Sequence, residues 1–330
     1  MDIIVNTLGT RIRQSGERLI LHVPRIQEIK KYAARRVEKI VISGASSISS
    51  GAVALAVKYN IDIVYLGDFG FPIARVIPSA PIAVPGLKQS QLSFISNPEK
   101  KFALAVSFVI GKALNQLAFL KYLQKISGRN LCSNILEIEM IFEKISVESI
   151  NYEKLLGQEG KIAEKYFSIL RTMHGFPGRK PGGTDKFNST LNYGYGVLYN
   201  EIEKSCLYVG LDSYIGIYHS DRYGKPSLVL DLIEEWRVPI VDSVVFQLFW
   251  NKKIDAIKDF DKIKKGEYRL SKQGKRKLMT EIFGRFNKIV YWEGKNQLVK
   301  HIIMYQVRQL AQIFLDKRNC YKPFLFKDYE

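Results

Sequence analysis

One histidine followed by a group of acidic residues is the most chemically informative feature of this sequence. His219 lies in the stretch GIYHSDRYG, and Asp231, Glu234 and Glu235 follow it in SLVLDLIEEWR. One imidazole with two or three carboxylates is a recurring ligand set for Mn²⁺ or Mg²⁺. The chain contains only four histidines, so this stretch is the leading candidate for a metal centre.

The acidic residues lie on a predicted helix. Between residues 227 and 250 apolar side chains recur at near-helical spacing. Asp231 and Glu234 are three residues apart and share a face of this helix. A structural alternative stays open from spacing alone, in which Glu234 and Glu235 form ion pairs with Arg237 or with nearby lysines. Asp231 would then be stabilised by the helix dipole near the helix start.

A further carboxylate comes from an earlier predicted helix, LLGQEGKIAEKYFSIL. Glu159 is followed by Ala163, Tyr166 and Leu170 at spacings of 4, 7 and 11 residues. This spacing places Glu159 on the stripe of the helix that is predicted to face inward. Because an inward carboxylate is costly unless it is paired or metal-bound, we predict Glu159 as the ligand supplied by a second element.

The charge of the chain indicates a polyanionic partner. The 330 residues include 50 Lys and Arg against 32 Asp and Glu, a net charge of +18. Residues 251–330 hold 20 basic and 9 acidic residues, or +11, which leaves +7 for the first 250. Such a surface attracts nucleic acid before any specific contact forms, although a solvated lysine-rich face is the alternative. The candidate phosphate contacts are Arg179, Lys180, Lys252, Lys253, Lys264, Lys265, Lys272, Lys275 and Lys277.

The hydrophobic pattern predicts an α+β fold with a β-rich, β-sandwich-like N-terminal domain and a larger all-α domain. Residues 1–78 alternate as short strands, with a β-meander over 3–23, one short helix and a hairpin turn at Gly67–Gly70. Four of the 11 prolines fall between Pro72 and Pro85, which predicts a linker over 79–95. Residues 96–330 are predicted to be helical, with helices at 131–147, 151–172, 187–205, 227–250, 271–290 and 295–316.

Other features limit the cellular setting. The opening MDIIVNTLGTR has no apolar segment typical of a signal peptide, and no uncharged run is apolar enough for us to expect a membrane span. Three widely spaced cysteines favour neither a disulfide framework nor a zinc site. We therefore expect a cytoplasmic protein without a membrane partner.

Three segments together resemble one known family in order and spacing. They are QEGKIAEKYF, DKFNSTLNYGYGVLYNEI and VGLDSYIGIYHSDRYGKPSLVLDLIEEWR, with 60 residues from Glu159 to His219 and 15 from His219 to Glu234. This set resembles the CRISPR-associated integrase family, the spacer-acquisition endonuclease. The resemblance covers essentially the whole chain, including the closing CYKPF. This sequence departs from the usual motifs of the family at two places. It has GLDSY where many members have GLDP, and EEWR where many have EPFR.

The resemblance implies a function and a site. It implies a Mg²⁺- or Mn²⁺-dependent endonuclease and integrase that inserts short DNA fragments into a CRISPR array by phosphodiester transesterification. The implied metal ligands and catalytic residues are Glu159, His219 and Glu234. We predict Asp231, Arg237 and Asn192 as supporting residues, and Glu235 as a surface charge. Glycines 194 and 196, inside a helix of the site, are predicted to permit close approach of a neighbouring helix.

The resemblance also implies partners. Family members act on double-stranded DNA, both the spacer precursor and the CRISPR repeat. They form homodimers through the β-rich domain, and a small ferredoxin-like adaptation subunit bridges two dimers. The alternative function is a non-catalytic DNA-binding subunit of a nucleic-acid defence or repair complex, which keeps the basic surface without turnover.

Overall fold

The structure is a computed structural model that describes residues 1–24, 27–77, 86–148, 151–173, 175–219 and 223–329. Side chains are described for these residues except 146–148. His174 and residues 78–85, which make up most of the proline-rich stretch, lie outside the described ranges.

The N-terminal region consists of eight strands and one short α-helix among its described residues, as the alternating pattern predicts. Helix α1 (Ser50–Lys58) precedes the last two strands, and Ser49 caps its start by accepting a hydrogen bond from the Ala52 amide. The strands are β1 (Asp2–Val5), β2 (Thr10–Ser15), β3 (Arg18–Val23), β4 (Glu28–Ala33), β5 (Lys39–Ile42), β6 (Ser46–Ile48), β7 (Asp62–Leu66) and β8 (Pro72–Val76).

These strands form two four-stranded sheets around a shared apolar core. One sheet has the order β1-β5-β7-β8, and the other has the order β4-β3-β2-β6. Ile12, Leu21, Ile40 and Leu55 belong to one buried cluster that draws on both sheets and on α1, which confirms the sandwich-like prediction. The predicted meander is wrong for β1, which pairs in parallel with β5. The left-handed conformation of Gly9 (φ 78°) lies in the turn where the chain crosses between the sheets.

The second region is mostly helical and confirms the predicted fold class. Its helices are α2 (Leu87–Ile95), α3 (Pro98–Ser127), α4 (Cys132–Glu148), α5 (Tyr152–Arg171), α6 (Lys186–Val209), α7 (Ser227–Trp236), α8 (Ser243–Trp250), α9 (Lys272–Phe286) and α10 (Val299–Phe314). A π-helical turn, Arg237–Asp242, joins α7 to α8. Two hairpins interrupt the helices, formed by β9 (Phe260–Lys264) with β10 (Glu267–Leu270) and by β11 (Ile289–Trp292) with β12 (Lys295–Leu298).

Two segments differ from the sequence prediction. Within the predicted linker 79–95, the chain is helical from Leu87 onward, because the prolines end at Pro85 and Gly86 takes the left-handed conformation before α2. Residues 289–298 form a hairpin where the helices 271–290 and 295–316 were predicted to end and begin. β-Branched and aromatic residues favour strands there, and Gly294 with φ 82° completes the tight turn.

Helix α3 runs through the centre of the helical region. Among the described ranges it alone is long and apolar enough to cross a membrane by length and composition. The core helix of a soluble protein passes the same test, and 61% of its most apolar window is buried inside the fold. Phe108, Phe119 and Leu120 are buried in the main core, so α3 is a scaffold for the helices packed around it.

The two regions meet across the first sheet and α6. Val41, Val64 and Leu66 point away from the sandwich core and join the core of the helical region. Gly196 permits this approach, because a Cβ atom there would lie 2.6 Å from the Phe69 carbonyl oxygen in the turn between β7 and β8. The predicted hairpin turn at Gly67–Gly70 is therefore present and rests on α6.

Candidate functional site

Glu159 and Glu234, which are far apart in sequence, are brought together by three helices. Glu159 lies in the first half of α5, whose start is capped by Asn151 accepting from the Lys154 amide. Glu234 lies on α7, with its side chain only 7% exposed. Helix α3 passes between these two elements and supplies Lys112, whose ammonium contacts both carboxylates.

Lys112 is a residue of the candidate site that sequence reasoning missed. Its Nζ atom forms an ion pair with Glu159 Oε1 and lies 2.7 Å from Glu234 Oε2. Glu234 Oε2 is buried, so the Lys112 ammonium supplies its counter-charge. A signal was present, because Lys112 is the single charged residue between positions 102 and 120. An isolated lysine in such an apolar helix requires a buried anionic partner.

Asp231 fixes the loop that carries His219. Its fully buried carboxylate accepts hydrogen bonds from the amides of Ile217 at 2.6 Å, Tyr218 at 3.1 Å and His219 at 2.7 Å. The same carboxylate lies 2.7 Å from Nδ1 of the His219 ring. This contact orients the imidazole and leaves Nε2 as the nitrogen for a ligand, the arrangement found where a carboxylate supports a metal-binding histidine.

The electrostatics keep Glu234 ionised despite its burial. Burial alone would raise the pKa of the Glu234 carboxyl, but Arg237 and Lys112 outweigh burial and lower that pKa to about 2. The Arg237 guanidinium lies 2.9 Å from Glu234 Oε1, so the structural ion pair left open by the sequence is present. A protonated His219 would lower the pKa of Glu234 further, which places the imidazole within electrostatic range.

Tyr218 is further evidence that the loop faces the carboxylates. Burial raises the pKa of the Tyr218 hydroxyl above its ordinary range, and the charges of Glu159 and Glu234 raise it further. Tyr218 and His219 are in edge-on ring contact, with centroids 5.3 Å apart. The loop therefore brings both side chains toward the pair formed by α5 and α7.

Two arginines are held beside the carboxylates by a buried tyrosine. The guanidinium carbons of Arg237 and Arg179 lie 5.0 and 5.2 Å from the centroid of the Tyr195 ring. Asp242 accepts hydrogen bonds from the hydroxyls of Tyr195 and Tyr166, which fixes the ring. Burial raises the pKa of the Asp242 carboxyl, although the two hydroxyls oppose the rise. The sequence gives no signal for this network, because its members come from separate elements.

The helix that carries Tyr195 packs unusually closely against its neighbours. A Cβ atom at Gly194 would lie 2.6 Å from Cγ1 of Val241 in the π-helical turn and 3.4 Å from Ile282 of α9. The Gly194 position therefore cannot hold a methyl group unless Val241 moves. The predicted close approach of a neighbouring helix is confirmed at Gly194, whereas Gly196 faces the turn between β7 and β8 rather than a helix.

A cleft of about 780 Å³ opens onto this site. Its lining includes Lys112, Glu234, Arg237 and Arg179, together with aromatic side chains and part of the β9–β10 hairpin. Asn192 also lines it and donates a hydrogen bond to the Gly183 carbonyl oxygen at 3.0 Å, so its contact is with the loop before α6. The cleft therefore brings the buried carboxylate of Glu234 to a basic and aromatic wall, whereas Glu159 and His219 lie outside its lining.

The candidate phosphate contacts are distributed unevenly. Arg179 alone among the nine lines the cleft. Lys275 is not a surface lysine, because it is only 9% exposed and its ammonium lies 3.1 Å from Asp68. Lys277 is partly buried in an ion pair with Asp259 at 2.6 Å. The exposed members are Lys180, Lys252, Lys253, Lys264, Lys265 and Lys272.

Glu235 is buried, so its prediction as a surface charge is wrong. Its carboxyl accepts hydrogen bonds from the Tyr321 hydroxyl at 2.9 Å and from Gln306 at 3.1 Å. Burial raises the pKa of this carboxyl to about 8 against these hydrogen bonds. Asn115 of α3 also donates to the Glu235 carbonyl oxygen and to that of Phe324. Glu235 thus faces away from the cleft and ties α7 to the C-terminal segment.

The three predicted ligands fit a hard divalent cation in type, and Glu234 is the one that lines the cleft. Glu159 and Glu234 supply carboxylate oxygens and His219 supplies an imidazole nitrogen, a donor set suited to Mg²⁺ or Mn²⁺. No group of three or more His, Cys, Asp or Glu side chains is already arranged to hold a metal ion in the part of the chain that the structure describes. The position between the two carboxylates is instead taken by the Lys112 ammonium.

Comparison with known proteins gives a consistent result. The model of the family described as CRISPR associated protein Cas1 matches residues 3–283. The chain is 31% identical over 320 residues to the CRISPR-associated endonuclease Cas1 3 of Thermus thermophilus, covering 94% of this chain and 90% of the relative. Thirty-four curated proteins match it significantly, so the similarity does not depend on a single relative.

Solved structures extend this similarity to the fold. A casposase bound to its integration product aligns with a TM-score of 0.84 and 25% identity, covering 97% of this chain and 92% of the casposase. A chain of a Cas6-RT-Cas1–Cas2 complex aligns with a TM-score of 0.76 and 20% identity, covering 99% of this chain and 36% of that longer one. The second likeness concerns the fold alone.

Proposed function

Because this chain belongs to the CRISPR-associated Cas1 family, we propose that Glu159, His219 and Glu234 form the metal-dependent active centre of a DNA integrase and endonuclease. The enzyme class follows from the curated relatives, which are named endonucleases, and from the similarity to a casposase bound to an integration product. The observation that carries the proposed centre is the pair of carboxylates from α5 and α7 that contact the Lys112 ammonium, with Lys112 and Glu234 lining the cleft.

The proposed reaction is a phosphodiester exchange. A 3′ hydroxyl of the incoming DNA attacks a phosphorus atom of the target, and the new P–O bond forms as the bond to the leaving 3′ oxygen breaks. The attacking hydroxyl loses a proton and the leaving oxygen gains one, so the number of phosphodiester bonds is conserved. In the hydrolytic direction water takes the place of the 3′ hydroxyl.

The side chains of the candidate site have different roles in this reaction. Mg²⁺ or Mn²⁺ bound by Glu159, His219 and Glu234 would polarise the scissile phosphodiester and stabilise the charge that develops on its oxygens. Asp231 keeps Nδ1 of His219 engaged, so that Nε2 faces outward as a ligand. Arg179 and Arg237 line the cleft beside the carboxylates and are suited to bind phosphate oxygens through their guanidinium groups.

We also propose the partners of this reaction. The substrate is double-stranded DNA, supported by the net charge of +18 and by the casposase likeness. The matched complex named Cas1–Cas2 supports assembly with a second adaptation protein, which we propose to be a small ferredoxin-like subunit. We further propose that two copies pair through the β-rich region and that the protein acts in the cytoplasm.

A strand-transfer assay tests the proposal. Short duplex DNA is incubated with a plasmid that carries CRISPR repeats, with Mn²⁺, with Mg²⁺ or with EDTA. We expect covalent joining with either metal, none with EDTA, and none for Glu159→Ala or His219→Ala. Lys121→Ala, which changes a lysine of α3 paired with Glu139 outside the site, is the control and should keep strand transfer. Normal activity in both site variants would contradict the assigned centre. DNA binding without metal-dependent joining in the wild type would instead support the non-catalytic subunit.

A further inference from the structure

The position of Lys112 poses a chemical problem for a metal centre. Its ammonium lies between the two carboxylates that would bind the metal, and its side chain is only 16% exposed. Two cations and a divalent metal cannot all stay in contact with the same carboxylates, since like charges at this separation repel strongly in a buried setting. One of the groups must move when the metal binds.

The charges around the pair identify which group moves. Glu159 and Glu234 carry two negative charges, and Lys112 and Arg237 carry two positive charges, so the cluster is balanced without metal. Arg237 lies over the Tyr195 ring as well as beside Glu234, and its planar fork resists displacement. Lys112 ends in a compact charge on a flexible four-carbon stem, and it lines the cleft, so it has an open space into which to turn.

We propose that Lys112 is an exchangeable cation: it holds Glu159 and Glu234 together in the metal-free protein, leaves them when the divalent metal binds, and then contacts a DNA phosphate in the cleft. This inference rests on the proposed function and adds a residue to it. In the metal-free protein Lys112 is a positioning residue, because its charge offsets the repulsion between the two carboxylates. In the loaded protein its released charge faces the substrate.

The inference predicts opposite effects of one substitution on metal affinity and on stability. Lys112→Met keeps the length and apolar stem of the side chain but removes its charge. Isothermal titration with Mn²⁺ in the absence of DNA should show binding on the order of tenfold tighter than in the wild type, a size typical of coupled equilibria, since no ammonium has to be displaced. In EDTA the thermal midpoint of the variant should be lower than that of the wild type, and saturating Mn²⁺ should remove the difference.

Two further variants serve as controls. Lys121→Met changes a lysine of the same helix that is paired with Glu139 at 2.7 Å outside the site, and it should leave Mn²⁺ affinity unchanged. Lys112→Arg keeps a cation whose fork holds carboxylates more firmly, so its Mn²⁺ binding should be weaker than in the wild type. This second variant keeps the test decisive if Lys112→Met does not fold in EDTA.

The phosphate contact is tested separately. With Mn²⁺ bound, the dependence of DNA affinity on salt should fall by about one phosphate contact in Lys112→Met. Equal or weaker Mn²⁺ binding by Lys112→Met, tighter Mn²⁺ binding by Lys112→Arg, or an unchanged salt dependence would overturn the inference. These outcomes differ from failure of the proposed function, in which the wild type itself shows no Mn²⁺ binding and no strand transfer.

Discussion

Two clusters of lysine, arginine and carboxylates, one partly exposed and one buried, occupy different places in this molecule. The cleft cluster consists of Lys112, Glu159, Glu234 and Arg237. The junction cluster lies between the β-rich and helical regions, and its members are Lys39, Asp62, Arg75 and Glu201. In both clusters burial would raise the pKa of one glutamate, and neighbouring cations lower it to about 2, at Glu234 and at Glu201.

The clusters differ in what surrounds them. The cavity beside Lys39 and Glu201 is about 20 Å³, whereas the cleft at Glu234 is about 780 Å³. Arg75 of the junction also donates to the Asn200 carbonyl oxygen at 3.0 Å, so the cluster ties β8 to α6. The ion pairs of the junction cluster therefore stabilise the fold. The similar ion pairs of the cleft cluster are accessible to a ligand.

The largest expected effect comes from removing charge at the open cluster. Glu234→Gln keeps the shape of the side chain but removes an anionic metal ligand. We expect strand transfer to fall by about 1000-fold, or about 4 kcal/mol of transition-state stabilisation, since the metal supplies several kcal/mol. Single-turnover rates with saturating DNA measure this change. A rate within tenfold of the wild type would place the reactive centre elsewhere.

The matched substitution at the enclosed cluster should act on stability instead. Glu201→Gln leaves Lys39 buried with Asp62 as its remaining carboxylate partner at 3.8 Å. We expect a loss of about 3 kcal/mol in the free energy of unfolding, as for other broken buried ion pairs, measured by urea denaturation. The folded fraction should keep its rate of strand transfer within a few-fold. A large loss of rate without loss of stability would erase the distinction between the clusters.

A smaller effect tests the charge of the enclosed cluster through the pH dependence of stability. The pKa of Glu201 is lower in the folded chain than its ordinary value of 4.5, so its contribution to stability is present above pH 4.5 and is lost as the pH falls toward 2. Over that window the unfolding free energy of the wild type should fall more steeply than that of Glu201→Gln, by about 1.4 kcal/mol per pH unit at most. If the unfolding free energies of the two proteins fall equally steeply with pH, the neighbouring cations do not lower the pKa of Glu201.

Much of the fold and part of the site can be predicted from the sequence, because they depend on local periodicity. Helical periodicity placed Glu159 on an inward stripe, and the structure has Tyr166 and Leu170 of that stripe fully buried. Asp231 and Glu234 share one helix, so their separation is set by local geometry alone. The fold class is confirmed because strand alternation and helical spacing are also local properties.

The rest depends on contacts between distant elements. Lys112 meets Glu159 across 47 positions and Glu234 across 122, and neither distance is encoded in local spacing. Glu235 was predicted as a surface charge because its partners, Gln306 and Tyr321, lie in the last helix and the C-terminal segment. The network of Tyr166, Asp242 and the two arginines likewise appears only when α5, α6 and the π-helical turn are packed together.

The most direct test of the comparison is the number of Mn²⁺ ions bound per chain. Electron paramagnetic resonance of the free ion gives this number for the wild type, Glu234→Gln and Glu201→Gln under the same conditions. We predict one ion of high affinity in the wild type and in Glu201→Gln, and none in Glu234→Gln. High-affinity binding that persists in Glu234→Gln, or that disappears in a folded Glu201→Gln, would contradict the assignment of the cleft cluster as the metal centre.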